Sequence, residues 1–190
     1  MHVFWRQGFK ATSIEDLAQA MGINRFSLYD TFGDKHALYL QALEKYRGMI
    51  AVELLAALEG ADGLAAIQTY FARLAKVLST DIGRRGCLMQ NATVECALDD
   101  TAVASRTHAF NDHLQDLFYR ALRRARAAGV LPGGHNARER ARALFALAQG
   151  MMVMAKDSPT ETVRGRGAVA STARFVAREI DSWRNDAHAA

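Results

Sequence analysis

TSIEDLAQAMGINRFSLYDTFGDK, residues 12–35, predicts two short helices joined by a tight turn. Thr12 can cap the first helix, with Glu15 as the other half of a capping box. Gly22 can end that helix by taking positive φ, and Asn24 can then cap the second. This order of signals is typical of a helix-turn-helix, which places its second helix in the major groove of DNA.

The apolar residues of this stretch fall on matching helix faces. The first helix offers Ile14, Leu17, Ala18 and Met21 at helical spacing, and the second offers Leu28 and Phe32. Gly33 is placed to end the second helix and Asp34 to cap a third. An ordinary helical hairpin inside a bundle is the alternative interpretation of the same pattern.

The remaining face of the second helix carries side chains suited to DNA. Arg25 can bind a guanine or a phosphate, Phe26 and Thr31 can contact a thymine methyl, and Tyr29 can donate to a phosphate. Lys35 begins the next helix, where backbone amides also point outward and favour an anion. These residue types predict a DNA-binding surface.

Further residues resemble one family of regulators. FWRQGF at 4–9, Gly22-Ile23, SLY at 27–29, Phe32-Gly33 and Lys35 resemble the amino-terminal domain of the TetR/AcrR family of transcriptional regulators. That family usually has a longer first helix, so we expect either a start upstream of Met1 or a shortened helix. The resemblance implies DNA contacts at Thr12, Ser13, Arg25, Phe26, Ser27, Tyr29, Thr31 and Lys35.

Composition predicts an all-α chain. Half of the 190 residues are hydrophobic, only two are proline, and long stretches follow a helical period. The family resemblance implies an N-terminal three-helix helix-turn-helix domain, expected at 1–47, and a larger helical ligand-binding and dimerisation domain, expected at 48–190. The net charge of +4 permits nucleic-acid binding without requiring it. No leader or apolar run of about 18 residues occurs, which predicts a cytoplasmic protein without a membrane partner.

The periodicity after residue 33 predicts a succession of longer helices with a linker at 129–134. The helices are expected over 34–58, 64–79, 87–98, 99–128, 137–156 and 161–183. By the family resemblance the last two form a homodimer interface, and their wide apolar faces agree with that. Core helices of a monomer would show similar faces.

A candidate effector pocket follows from the stretch GCLMQNATVE at 86–95, which resembles a segment found in one branch of the family. Asn91 and Glu95 lie one helical turn apart and can orient a polar ligand group. Alternatively, Asn91 ties a helix end and Glu95 pairs with an arginine. The remaining pocket candidates are apolar or isolated polar residues that could equally be core: Phe71, Leu74, Cys87, Phe110, His113, Leu117, Phe145, Gln149 and Met152.

The two cysteines and six histidines predict no metal site and no cofactor, because none has partners at ligand spacing. Cys87 and Cys96 lie about 13 Å apart along one helix and cannot form a disulfide there. Cys87 follows Arg84 and Arg85 at a helix start, which would stabilise a thiolate and permit an electrophile sensor. A small buried hydrophobic role is the alternative.

Together with these features, the family resemblance implies a homodimeric repressor that a small-molecule effector releases from a palindromic operator. The effector would shift the helix after Asp34 and move the two DNA-binding domains of the dimer apart. Their spacing would then exceed the distance between successive major grooves. The alternatives are an activator, a ligand-independent regulator, or a protein-binding adaptor with a weakened DNA head. An enzyme using Cys87 or His113 lacks any partner residue that the sequence identifies.

Overall fold

The chain folds as a succession of α-helices. A computed structural model describes residues 1–131, 136–156 and 163–188, without the side chains of 163–166 and 185–188, and the described part contains no strand. The all-helical prediction is confirmed. Residues 132–134 of the predicted linker and the first two residues of the predicted last helix lie outside the described residues. The helices are α1 (His2–Gln7), α2 (Ile14–Met21), α3 (Arg25–Phe32), α4 (Lys35–Glu53), α5 (Gly63–Leu78), α6 (Leu88–Cys96), α7 (Thr101–Ala127), α8 (Ala137–Lys156) and α9 (Val163–His188).

The helices form two compact units. The head unit comprises Met1–Ile50 and Cys87–Phe110, and the body unit comprises Ala51–Gly86 with the chain from Asn111 onward. The predicted boundary between 47 and 48 lies three residues before the end of the first stretch of the head unit at Ile50, and the predicted domains differ from the units in one larger respect. The segment Cys87–Phe110, which contains α6, packs with the amino-terminal helices, although it was assigned to the second domain. Helices α4 and α7 contribute residues to both units.

An aromatic cluster fills the core of the head unit. The Tyr39 ring lies 4.9 Å from that of Phe4 and 4.8 Å from that of Phe9, and the Trp5 ring lies 5.0 Å from that of Tyr46. Tyr39 is buried, and desolvation raises its pKa well above the ordinary range. These contacts attach the short helix α1 to α4, because a six-residue helix has little stability of its own.

A second aromatic cluster lies in the body unit. Tyr70, Phe71 and Phe118 are fully buried, with the Phe118 ring 5.1 Å from Tyr70 and 5.8 Å from Phe71. Gln68 links α5 to α9 by donating to the Ala177 carbonyl and the Asp181 carboxylate. The body unit therefore has its own hydrophobic core.

Two local predictions are wrong. The helix expected over 34–58 ends at Glu53, and a 3-10 turn follows at Leu55–Glu59 because Leu55 and Leu58 turn inward to be buried. Met21 was expected on the apolar face of its helix, but 41% of it is exposed at the last turn before Gly22. Among the described helices, none is long and apolar enough to cross a membrane.

Candidate DNA-binding surface

A capping box fixes the start of α2. Ser13 accepts a hydrogen bond from the Asp16 amide at 3.0 Å, and the Asp16 carboxylate accepts one from the Ser13 amide at 2.9 Å. Hydrogen bonds from the Ser13 amide and hydroxyl lower the pKa of the Asp16 carboxyl. The predicted pairing of Thr12 with Glu15 is wrong by one residue.

The turn and α3 follow the predicted caps. Gly22 ends α2 with φ 67°, a left-handed conformation that other residues rarely adopt. Asn24 caps α3 by accepting from the Ser27 amide at 2.8 Å, and Asp34 caps α4 by accepting from the Ala37 amide at 2.7 Å. Leu28 is fully buried and orients α3 against the rest of the head unit.

The opposite face of α3 is open to solvent. Phe26 is 79% exposed and Tyr29 is 44% exposed, while Arg25 and Thr31 are exposed beside them and Ser27 is half-buried. A large apolar ring exposed to this degree on an otherwise polar helix is typical of a binding surface. The side chains on this face provide cationic, hydroxyl and apolar contacts, which are the types that base edges and phosphates accept.

An ion pair that sequence analysis missed orients Arg25. The Arg25 guanidinium lies 2.7 Å from the Glu15 carboxylate of α2, and each side chain is 62% exposed. An exposed pair contributes little to the free energy of folding. It does restrict where the guanidinium sits at the start of α3. The positions of Glu15 and Arg25 in the sequence do not predict this ion pair, because it depends on the geometry of the turn between α2 and α3.

Thr12 and Lys35 form hydrogen bonds within the head unit, and the DNA contacts expected of them stay predictions. Thr12 is 1% exposed, and its hydroxyl donates to the Gly8 carbonyl. The Lys35 ammonium donates to the carbonyls of Phe9 at 3.1 Å and Thr12 at 2.9 Å, and lies 4.5 Å from the centre of the Phe9 ring. Two carbonyls and one ring face therefore hold the Lys35 ammonium beside the loop between α1 and α2, where the side chain is half-buried.

The residues proposed for an effector pocket divide between the two units. Cys87, Asn91, Glu95 and Phe110 lie in the head unit, and His113 in the body unit is exposed. The other candidates are buried or half-buried in the body unit: Phe71, Leu74, Leu117, Phe145, Gln149 and Met152.

Two of the head-unit candidates have other roles. Cys87 is buried, and desolvation raises the pKa of its thiol, which opposes the thiolate that a sensor requires. The Glu95 carboxylate accepts hydrogen bonds from the backbone amides of Phe9 at 2.9 Å and Lys10 at 2.7 Å. These donors are main-chain groups of the loop between α1 and α2, whereas the alternative considered from the sequence was an arginine.

An apolar groove of about 180 Å³ lies between α8 and α9 in the body unit. Arg140 and Trp183 are among its lining residues, with the Arg140 guanidinium 3.9 Å from the centre of the Trp183 ring. Phe175 in the groove is 45% exposed. Its other apolar lining residues are Ala143, Leu144, Leu147 and Val176.

Comparison with known proteins places the chain in a family. The family model described as "Bacterial regulatory proteins, tetR family" matches residues 1–42. The model described as "Tetracyclin repressor-like, C-terminal domain" matches residues 63–169, more than half of the chain. The chain belongs to the TetR family of transcriptional regulators.

Individual relatives agree with this assignment. The HTH-type transcriptional regulator YezE of Bacillus subtilis is 31% identical over 134 residues, covering 70% of this chain and 69% of YezE. The HTH-type transcriptional repressor ComR of Escherichia coli is 27% identical over 159 residues, covering 83% of this chain and 76% of ComR.

A solved structure matches at the level of the fold and of the sequence. It is a cysteine mutant of the TetR family transcriptional regulator CifR in complex with 26-bp double-strand operator DNA. This TetR-family chain is 28% identical to it, with a TM-score of 0.74 and coverage of 90% of both chains. TetR-family members are DNA-binding regulators rather than enzymes, which excludes the catalytic alternative for Cys87 and His113.

Proposed function

We propose that this TetR-family regulator is a homodimeric repressor of transcription. It binds a palindromic operator in bacterial cytoplasm through α3 and is released by a small-molecule effector. The observation that carries the proposal is the solvent-facing side of α3, where Arg25, Phe26, Tyr29 and Thr31 project from a helix held by caps and by buried Leu28. The operator-bound relative CifR and the repressor ComR support it.

On this proposal α3 enters the major groove. Arg25 at its first turn binds a guanine or a phosphate, Phe26 and Thr31 pack on thymine methyl groups, and Tyr29 donates to a phosphate. Ser13 and Ser27 lie at the starts of α2 and α3, where outward-facing amides also favour a phosphate. A single head with few cationic groups binds DNA weakly, so two heads about 34 Å apart would bind adjacent half-sites.

The dimer interface is proposed to lie on α8 and α9. The groove between these helices is apolar, and Phe175 with Val153 leaves large hydrophobic surface exposed in one chain. A second copy would cover that surface across a two-fold axis. Phe175→Arg should convert the dimer to a monomer in light scattering, while Val52→Arg, at a residue 76% exposed outside the groove, should leave the dimer intact.

The effector site is proposed to lie in the body unit. Its candidate residues are several apolar side chains and one amide. This combination suits a small apolar molecule with a single polar group. They come from α5 (Phe71 and Leu74), α7 (Leu117) and α8 (Phe145, Gln149 and Met152). Asn91 of α6 lies in the head unit and is a separate candidate for a polar ligand contact there. Binding there would shift α4 and change the spacing of the two heads.

Operator binding tests the proposal directly. Fluorescence anisotropy with labelled DNA flanking the gene, at two salt concentrations and with competitor DNA, should show tight and salt-dependent selective binding. The double variant Arg25→Ala/Tyr29→Ala should weaken that binding by about 10- to 100-fold, from the loss of one base contact and one phosphate contact. Arg73→Ala, which removes an exposed charge from α5, is the matched control and should bind as the wild type does.

Two results would contradict the proposal. Equal affinity of the wild-type protein for gene-flanking and competitor DNA would exclude a selective regulator of its own locus. Unchanged affinity of the double variant would show that α3 is not the helix that contacts DNA.

A further inference from the structure

We propose that Glu95 is a positioning residue for DNA binding, which holds the loop between α1 and α2 and thereby sets the orientation of α3. The inference rests on the proposed operator binding, but it concerns a residue of α6 that lies outside the helix-turn-helix sequence. Glu95 connects the segment that carries the pocket candidate Asn91 with the loop that precedes the helix-turn-helix.

Both oxygens of the Glu95 carboxylate are used. Oε2 accepts a hydrogen bond from the Phe9 amide at 2.9 Å, and Oε1 accepts one from the Lys10 amide at 2.7 Å. Bonds between an ionised carboxylate and main-chain amides are shorter and stronger than those between neutral groups. The two contacts therefore join α6 to a loop 85 and 86 residues earlier in the chain.

Gly8 leaves the space that the carboxylate occupies. A Cβ at Gly8 would lie 2.7 Å from Oε2 and 3.0 Å from Oε1 of Glu95. Gly8 also has φ 83°, which ends α1 and turns the next two amides toward α6. Gly8 thus provides both the space for the carboxylate and the backbone turn that directs the two amides to it.

The position of this loop determines the position of α2. The loop ends at Ser13, the N-cap of α2, and Lys35 holds its opposite side through the carbonyls of Phe9 and Thr12. Helix α2 packs against α3 across the turn at Gly22. A shift of the loop is therefore transmitted through α2 to the face of α3 that contacts DNA.

The contact also gives α6 a direct influence on the DNA-binding surface. Asn91 lies one helical turn before Glu95 on α6. A ligand that rotates or displaces α6 would break the two hydrogen bonds of the carboxylate without any change in α4. On this inference, the head unit binds the operator only while Glu95 is hydrogen-bonded to the loop. Breaking these bonds lowers the fraction of protein molecules that can bind the operator.

The test compares Glu95→Gln and Glu95→Ala with the control Asp99→Asn. The carboxamide introduced by Glu95→Gln can accept one of the two hydrogen bonds, whereas the methyl group left by Glu95→Ala accepts neither, so the effects should be graded. Asp99 is exposed on the turn after α6, and its substitution removes the same charge from the same region. Helical content, melting temperature and dimer mass are recorded for each full-length variant.

We expect operator affinity to fall by about 3- to 10-fold for Glu95→Gln and by about 10- to 100-fold for Glu95→Ala, the range for losing charge-assisted hydrogen bonds. Asp99→Asn should match the wild type. Affinity for competitor DNA should change less than operator affinity, because non-specific binding depends on charge rather than on the orientation of α3. Hydrogen exchange at the amides of Phe9 and Lys10 should accelerate in both Glu95 variants.

Gly8→Ala perturbs the same contact from the other side and completes a double-mutant cycle. In the wild type it should weaken operator binding by displacing the carboxylate as well as by straining a positive φ. In the Glu95→Ala background only the strain remains, so the combined loss should be smaller than the product of the two single losses.

The outcomes separate this inference from the proposed function. Absence of selective binding by the wild type would refute the proposed function before any variant is measured. Selective wild-type binding that Glu95→Ala leaves unchanged would refute the role of Glu95. Loss of helical content in Glu95→Gln would also refute it, because a residue needed for folding as a whole is not one that positions α3.

Discussion

Gly63, the first residue of α5, allows α5 to approach α7 closely in the body unit. A Cβ at this position would lie 1.9 Å from the Ala121 carbonyl oxygen, 2.8 Å from the Ala121 carbonyl carbon and 3.0 Å from the Ala125 amide nitrogen. The neighbouring atoms are main-chain atoms of the buried residues Ala121 and Ala125, so they cannot rotate away as a flexible side chain would. Gly63→Ala must therefore move the start of α5 or distort α7.

The magnitude follows from the missing distance. Ordinary van der Waals contact begins near 3.4 Å, so the methyl group is too close to the oxygen by about 1.5 Å. Adding one carbon to a tightly packed site costs about 1–3 kcal/mol, and a contact with main-chain atoms belongs at the upper end of that range. The preference of helices for alanine offsets at most about 1 kcal/mol. We expect a net loss of about 2 kcal/mol, which lowers the melting temperature by about 4–8 °C.

Differential scanning calorimetry on Gly63→Ala and Gly48→Ala measures the effect. Gly48 is exposed within α4, and no atom lies within 4 Å of its Cβ position. The same substitution should stabilise the protein there by about 0.5–1 kcal/mol through helix propensity alone. The sign of the change should thus reverse between the two glycines. A melting temperature for Gly63→Ala equal to or above that of the wild type would refute the close approach of α5 to α7.

Three further substitutions or measurements follow from the head unit. Ser13→Ala removes the acceptor for the Asp16 amide and should lower the free energy of unfolding in urea by about 1 kcal/mol; an unchanged midpoint would contradict the capping box. The backbone amides of α7, with His36, lower the pKa of the Asp100 carboxyl, so this group stabilises the fold above about pH 4 and the contribution is lost as the pH falls. Asp100→Asn should therefore reduce the loss of stability between about pH 6 and pH 3, and an acid sensitivity equal to that of the wild type would exclude the contribution. Burial raises the pKa of Cys87, so its thiol should react with a disulfide reagent at about pH 7 only after unfolding, and rapid reaction of the native protein would contradict the buried position.

The local structure of the helix-turn-helix was largely predictable from sequence because its signals lie close together in the chain. Gly22 ends α2, and Asn24 and Asp34 each accept a hydrogen bond from a backbone amide three residues later. Residue type and spacing therefore suffice to predict these helix ends. The capping residue of α2 was missed because two overlapping patterns compete. Thr12 with Glu15 and Ser13 with Asp16 have the same spacing, and only the burial of Thr12 distinguishes them.

Contacts between distant segments could not be predicted in the same way. Neither the assignment of Cys87–Phe110 to the head unit nor the bond from Glu95 to the Phe9 amide has a local sequence signal. The spacing of Asn91 and Glu95 showed that both residues share one helix face. It did not show what that face contacts. The partners of Glu95 are backbone amides, which nearly every residue has, so the sequence does not identify them.

Lys35 and Glu95 together hold the short irregular loop that precedes α2. Peptide groups in a loop can present carbonyls on one side and amides on the other, and both sets are strong hydrogen-bonding groups. The Lys35 ammonium satisfies the carbonyls of Phe9 and Thr12, whereas the Glu95 carboxylate satisfies the amides of Phe9 and Lys10. Because Lys35 belongs to α4 and Glu95 to α6, the loop has a fixed position only while both helices keep theirs. On the proposed function, an effector would need no contact with α3, because displacement of either α4 or α6 would release one side of the loop.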